Sequence, residues 1–191
     1  MGTSRRHNRI ERFLDNIEHL FPREIASCFH VTFDSDGHVV IDENEDFGAL
    51  VGGCILIAAV LDIVSSASKG LKWNEYNGEK HSKAMGNFIK HYLPSPYQAV
   101  NWYTQFRSPL VHNFCPKRLE LTHHKRFRSR HLKEVQIKGE PRICVHIFQL
   151  LDDVTFALKN FAKDVRTDSD LYRRVKRYVG HHGVLEPRNP D

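Results

Sequence analysis

The sequence predicts a mainly α-helical protein, a bundle of helices carrying small antiparallel β-hairpin decorations. Three observations lead there. Apolar residues recur at helical spacing in one segment after another. One run, Ala49 to Leu61 (ALVGGCILIAAVL), is apolar nearly all round, as a helix at the centre of a bundle must be. Strict alternation is confined to two short regions near Phe29–Ile41 and Leu119–Ile147.

The elements follow in chain order. Ile10, Phe13, Leu14, Ile17 and Leu20 mark an amphipathic helix, which Pro22 is expected to end or to follow with something new. The segment Phe29 to Ile41 alternates around Asp34-Ser35-Asp36-Gly37, a hairpin signal. Residues 42–46 form an acidic connector suited to the N-terminus of the next helix. That central helix is expected over Phe47 to Ser68, with Gly70 as its stop. Lys72 to Gly78 is a polar loop. Helices are expected over His81 to Leu93 and Tyr97 to Phe106, then over Phe148 to Val165 and Ser169 to Val179. Asp152 and Asp153 are read as a dipole-favoured pair at the start of their helix, and Thr167 or Asp168 as the cap of the last one. Between them, Leu119–Thr122, Val135–Ile137 and Ile143–Ile147 alternate and are read as a small antiparallel sheet. The domain plan is residues 1–46 as an N-terminal helix and hairpin extension and 47–179 as the helical domain. An inserted hairpin occupies about 119–147, and 180–191 is a flexible tail.

The totals bound the function. A chain of 191 residues, 40% hydrophobic, buries a core without disulfides or metals. Net charge is +5 and the pI about 9.1. From Pro116 onward there are seventeen Lys and Arg against ten Asp and Glu, so the first 115 residues carry −2. A basic half is suited to phosphate. The four cysteines include no CxxC pair, which reads as a reducing, cytoplasmic setting. The apolar run is followed at once by Asp62 and is read as core, with no membrane partner. There is no Gly-rich phosphate loop, no GxSxG and no HExxH. His123, His124, His131 and His146 with Cys115 and Cys144 lack the short spacings of structural zinc sites. Neither a metal nor a cofactor is therefore expected.

The candidate site is the stretch FRSPLVHNF, Phe106 to Phe114. Histidine titrates near neutrality and serves as acid or base, while arginine stays charged and clamps phosphate oxygens. Such a pair suits cleavage of RNA by its own 2′-hydroxyl. Two copies of the pair in a two-fold dimer would supply both an acid and a base. Spacing alone is unspecific, since Arg12/His19, Arg23/His30, Arg118/His123, Arg126/His131 and Arg177/His182 satisfy it too. What distinguishes Arg107 and His112 is the aromatic segment before them and the apolar Leu110-Val111 between them. In one straight helix the two would stand roughly 140° apart. Pro109, with Ser108 as an N-cap, is expected to break the helix and let Arg107 turn toward His112. The plainer alternative is that Arg107 pairs with an acidic side chain such as Asp62 and His112 satisfies backbone.

Phe106-Arg107-Ser108-Pro109-Leu110-Val111-His112 resembles the Phe-Arg-x-x-Leu-x-His form of the HEPN superfamily signature. The order of elements over roughly residues 47 to 165 is similar as well, including the late acidic Asp62 and the Leu121-Thr122-His123 segment. Ser108 stands where the family often carries Asn or Asp. The resemblance implies a HEPN-like helical bundle and a metal-independent endoribonuclease acting as a homodimer. Arg107 and His112 would be catalytic, with Ser108, Asn113 and Asp62 in support. It implies a toxin or defence role with a nucleotidyltransferase-like antitoxin as partner. The alternative is a non-catalytic HEPN-like module that holds RNA, a nucleotide or a protein. Lys125, Arg126, Arg128 and Arg130, with Phe127 as a stacking face, are candidates to hold an RNA backbone. A solvated loop is their bland alternative.

Overall fold

The computed structural model describes residues 2–40, 50–72 and 77–182, with side chains from Arg9 onward. The acidic connector and most of the loop after Lys72 lie outside the described residues. The chain starts as one long helical path: α1 (Gly2–Asp15), a π-helical turn (Asn16–Leu20) and α2 (Phe21–Cys28). Of the two expected outcomes at Pro22, an end or a new start, α2 starts with Pro22 in its first turn while the helical path runs on through it. Pro22 lacks the N–H that an α-helix would send four residues back, and the wide turn before it absorbs the defect. Phe21 N–H bonds to the Asn16 carbonyl, five residues back.

The predicted hairpin is present as β1 (Thr32–Phe33) and β2 (Val39–Val40), paired antiparallel. The Asp34 carboxylate organises its turn by accepting from the N–H groups of Asp36 and His38, each at 2.9 Å. Gly37 takes the left-handed conformation there at φ 84°. The central helix α3 (Leu50–Lys69) stops in a Schellman motif. Gly70, at φ 64°, and Leu71 return their N–H groups to Ala67 and Ser66. Helix α4 (Gly78–Tyr92) is capped by Asn77, whose side chain accepts from Glu79 N–H.

The expected helix over Tyr97–Phe106 divides. A 3-10 turn (Ser95–Ala99) is followed by a π-helical turn (Trp102–Arg107) that runs into α5 (Ser108–Asn113). Three strands follow: β3 (Leu119–Thr122), β4 (Glu134–Ile137) and β5 (Glu140–His146), in the order β3-β5-β4. The sheet is mixed rather than antiparallel. β4 and β5 form the hairpin, through Lys138 and Gly139 at positive φ, but β3 lies parallel to β5. Two chain reversals, across residues 123–133 and at Lys138–Gly139, bring the first and third strands into the same direction. β5 leads directly into α6 (Ile147–Thr167), and α7 (Ser169–His182) completes the fold. Asp168, not Thr167, caps α7 by accepting from Asp170 and Leu171 N–H.

One core joins these elements. Phe13, Leu14 and Ile17 pack into the same cluster as Val64, Phe88, Phe106, Leu158 and Val175, so residues 10–31 are built into the bundle rather than appended to it. Phe88, Tyr92 and Phe161 form a triangle with centroids 4.7 to 5.6 Å apart. Phe88 and Phe161, the two buried rings, contribute about 1.5–3 kcal/mol each. Among the described residues α3 is the one helix long and apolar enough to cross a membrane. Just over half of its most apolar window, 56%, is buried against its neighbours here. Gly53 on α3 packs against the ring of Phe29, which follows α2, and a Cβ there would run into that ring.

Candidate functional site

The segment from Asn101 to Lys117 sets the site. Asn101 and Gln105 cap each other, with Asn101 Oδ1 accepting from Thr104 N–H and Gln105 Oε1 accepting from Asn101 N–H. The turn that follows is π-helical, and Ser108 N–H reaches back five residues to the Tyr103 carbonyl. Pro109 cannot donate to the Gln105 carbonyl. That acceptor is taken instead by Lys117 N–H at 2.7 Å, after Phe114 reverses the chain in a left-handed conformation at φ 55°. The proline is thus accommodated as Pro22 is, by a π turn before it. A new α-helix does start here with Pro109 in its first turn, but Ser108 is itself helical and makes no side-chain cap, so it starts without the expected break. The helical path stays continuous between Arg107 and His112, and they leave it on different sides.

Arg107 points into the bundle. Its Nε donates to Asp62 Oδ2 at 3.0 Å, and a terminal nitrogen lies 2.7 Å from the same oxygen. Its guanidinium also sits 5.4 Å from the centroid of the Tyr103 ring. The other Asp62 oxygen is 3.2 Å from His81 Nδ1, which is 3.1 Å from Ser66 Oγ. A carboxylate only accepts, so His81 Nδ1 carries the hydrogen here. Asp62, Arg107 and His81 have side chains only 12–16% exposed. They line a cavity of about 120 Å³ with Tyr178 and His182. Burial, and then the Asp62 charge, push the Tyr178 phenol up to about 12. His182 stacks on Tyr178 at 4.3 Å, and its Nε2 lies 3.2 Å from the Leu71 carbonyl. Gly180 to His182, expected in the tail, belong to α7, and residues 183–191 lie outside the described residues.

His112 is exposed near the end of α5, and among the described residues its ring has no hydrogen-bond or ion-pair partner. Val111 and Phe114 beside it are exposed as well, Phe114 at 67%. Ser108 is half-buried and Asn113 exposed. Of the sequence-predicted residues, then, Arg107 and Asp62 are brought together and His112 is not. Asp62 takes Arg107 and His81 as its partners.

The basic stretch Lys125–Arg130 is a 3-10 turn on the surface, between β3 and β4. Arg128 is drawn toward α6, where its Nε lies 3.4 Å from Gln149 Oε1 and a terminal nitrogen 3.8 Å from Asp152. Phe127 is half-buried. Arg126 covers one face of its ring at 4.8 Å, and the His124 ring stands at a steep angle to it.

A second polar cluster escaped the sequence reading. Tyr97 hydroxyl donates to Asp153 Oδ2 at 2.7 Å and lies 2.9 Å from His131 Nε2. His131 Nδ1 accepts from His146 N–H, so its hydrogen is on Nε2 and the chain of donors runs His131 to Tyr97 to Asp153. His146 Nδ1 caps α6 by accepting from Gln149 N–H, and its buried Nε2 has no acceptor at bonding geometry. Burial lowers both imidazoles to about 4. The neighbouring His146 adds to this at His131; Arg128 adds to it at His146, where the His123 carbonyl opposes. Burial likewise raises Tyr97, with the Asp153 charge adding to it. Asp152 and Asp153 lie in the second turn of α6, so they are not a dipole pair at its start. Asp152 instead accepts from Val39 N–H at 2.6 Å and ties the first hairpin to α6. Nothing in the sequence links positions 97, 131 and 153. The Asp62–His81 contact had a signal, since α3 and α4 are antiparallel neighbours joined by one short connection.

Among the described residues, no group of three His, Cys, Asp or Glu side chains converges on a metal-sized site. All four cysteines are free thiols, and burial raises Cys54 to about 12. The fold and site define a mainly helical protein with a buried Asp–Arg–His network. No family model, no curated protein and no solved structure matches the chain.

Proposed function

We propose that this chain is a HEPN-like, metal-independent endoribonuclease that cuts RNA in a cleft shared by two copies. The observation that carries the reading is the placement of His112. Its imidazole is exposed and unpartnered among the described residues, flanked by exposed Val111 and Phe114 that a second copy would cover. Arg107, held by Asp62 on the other side of the helical path, clamps phosphate in this reading only once it leaves Asp62 and turns to the His112 side. One imidazole takes the 2′-hydroxyl proton as that oxygen bonds to phosphorus. The partner's imidazolium gives its proton to the 5′-oxygen as the P–O5′ bond breaks. The products are a 2′,3′-cyclic phosphate and a 5′-hydroxyl, and nothing is oxidised or reduced.

A second reading is favoured by a specific contact. The Arg107 charge is already met by Asp62, an arrangement suited to a HEPN-like module that binds RNA, a nucleotide or a protein without chemistry. Incubating RNA with the protein in EDTA, beside His112→Ala, separates the two. Cleavage that disappears in the variant supports the enzyme. RNA left intact at micromolar protein, or a protein that stays monomeric by light scattering while it cuts, counts against the shared cleft.

A further inference from the structure

A cleft of about 450 Å³ lies between α1 and α7 and shares no lining residue with the Asp62 cavity or the Lys125–Arg130 turn. Its walls are Arg9 on α1 and Arg173, Lys176, Arg177 and His181 on α7. The α7 residues recur at intervals of three and four, which places them on one helix face. Buried Ile10 and Val179 form its floor. Arg173 is paired with Asp170. Arg9, Lys176 and Arg177 are exposed, and among the described residues no carboxylate pairs with them. Among the described residues no Asp or Glu lines the cleft. Three unneutralised cations in one concavity repel each other, a cost that a polyanion removes.

The geometry points to this cleft as a docking groove for the phosphate backbone of RNA. The choice of RNA rests on the reading above. Arginines match phosphate oxygens bidentately, and two helices set the cations on facing walls as a strand requires. Among the described residues no Phe, Tyr or Trp lines the groove and His181 is its one ring, so it holds backbone and reads no sequence. A membrane surface fits less well. The large exposed apolar side chains among the described residues lie at positions 40, 51, 56, 111, 114 and 156, none of them on α1 or α7.

The test is fluorescence anisotropy with a labelled single-stranded RNA in EDTA. The His112→Ala protein keeps the probe whole, and affinity is followed as salt is raised. Lys176→Glu with Arg177→Glu should weaken binding about ten-fold or more and lower the salt slope by roughly 0.7 for each phosphate no longer neutralised. Lys176→Gln with Arg177→Gln should lower the slope too, which long-range repulsion by new carboxylates would not mimic. Both positions are exposed, so circular dichroism should stay unchanged. Unaltered affinity and slope in both double variants overturn the proposal. So does retention by phosphatidylserine vesicles without retention of RNA. If wild-type protein never cuts RNA while these charges still set its affinity, the ribonuclease reading falls and the groove stands. If cutting proceeds and charge removal leaves affinity untouched, the groove falls alone.

Discussion

Replacing Asp62 with Ala removes the carboxylate that accepts from Arg107 at 2.7 and 3.0 Å and from His81 at 3.2 Å. The three side chains are 12–16% exposed, so water reaches them poorly. Breaking a fully buried ion pair costs about 3–5 kcal/mol, and slight exposure places this one near ~3 kcal/mol. A domain of this size loses about 2–4 °C of Tm per kcal/mol, so the variant should melt ~6–12 °C lower. The control replaces the network with apolar groups. Asp62→Leu with Arg107→Met should recover most of that loss, because no uncompensated charge then stays inside. Differential scanning calorimetry of the wild type, both single variants and the double gives a coupling energy, expected at about 1–3 kcal/mol. A drop of less than ~2 °C for Asp62→Ala, together with zero coupling, would show that the pair is not what holds the π-helical turn before α5 against α3.

Three further outcomes follow. Gly53→Ala drives a methyl into the Phe29 ring, which is buried edge-on against Phe148, and should cost about 1–3 kcal/mol by urea denaturation; a neutral result means α2 slides freely on α3. Gly86→Ala, where a Cβ meets nothing within 4 Å on exposed α4, should raise stability by ~0.5–1 kcal/mol, and a loss would contradict the α4 geometry. His131 and His146 lie near 4 in the fold against 6.5 unfolded, so between those values the unfolded chain binds more protons. Stability is therefore full above about pH 6.5 and falls as pH drops toward 4, by on the order of 3 kcal/mol for one ring. The urea midpoint should fall between pH 7 and pH 5. His131→Asn, whose side-chain oxygen can still accept from His146 N–H, should flatten that dependence, and an unchanged slope would refute the assignment.

The mainly helical class was legible because burial leaves a periodic record in sequence. The central helix, its Gly70 stop, the Asp34–Gly37 turn and the Asp168 cap are all local signals, and each is where local chemistry puts it. Pro22 and Pro109 each stand in the first turn of a new α-helix, as a proline start predicts, but the π turns before them carry the helical path through without the expected break. What rescues Pro109 is the Lys117 N–H, which arrives only after Phe114 turns the chain, and no spacing rule announces it. The parallel pairing of β3 with β5 was hidden for a similar reason. Alternation marks a strand, but direction depends on how many reversals separate it from its neighbour. In the candidate site, Asp62 was identified as needing a partner because a lone carboxylate in an apolar helix cannot stay bare. Its choice of Arg107 and His81 over His112 depends on helix phase, which the proline obscured.

The most direct measurement is cleavage of one RNA in two chemical forms, all-ribose and 2′-O-methyl, by the full chain in EDTA. A 2′-hydroxyl nucleophile and a His112 acid/base predict that the ribose form is cut to fragments ending in 2′,3′-cyclic phosphate. The methylated form should stay whole, and His112→Ala should cut neither. Fragments from the methylated RNA, or undiminished cutting by His112→Ala, would contradict the proposed chemistry.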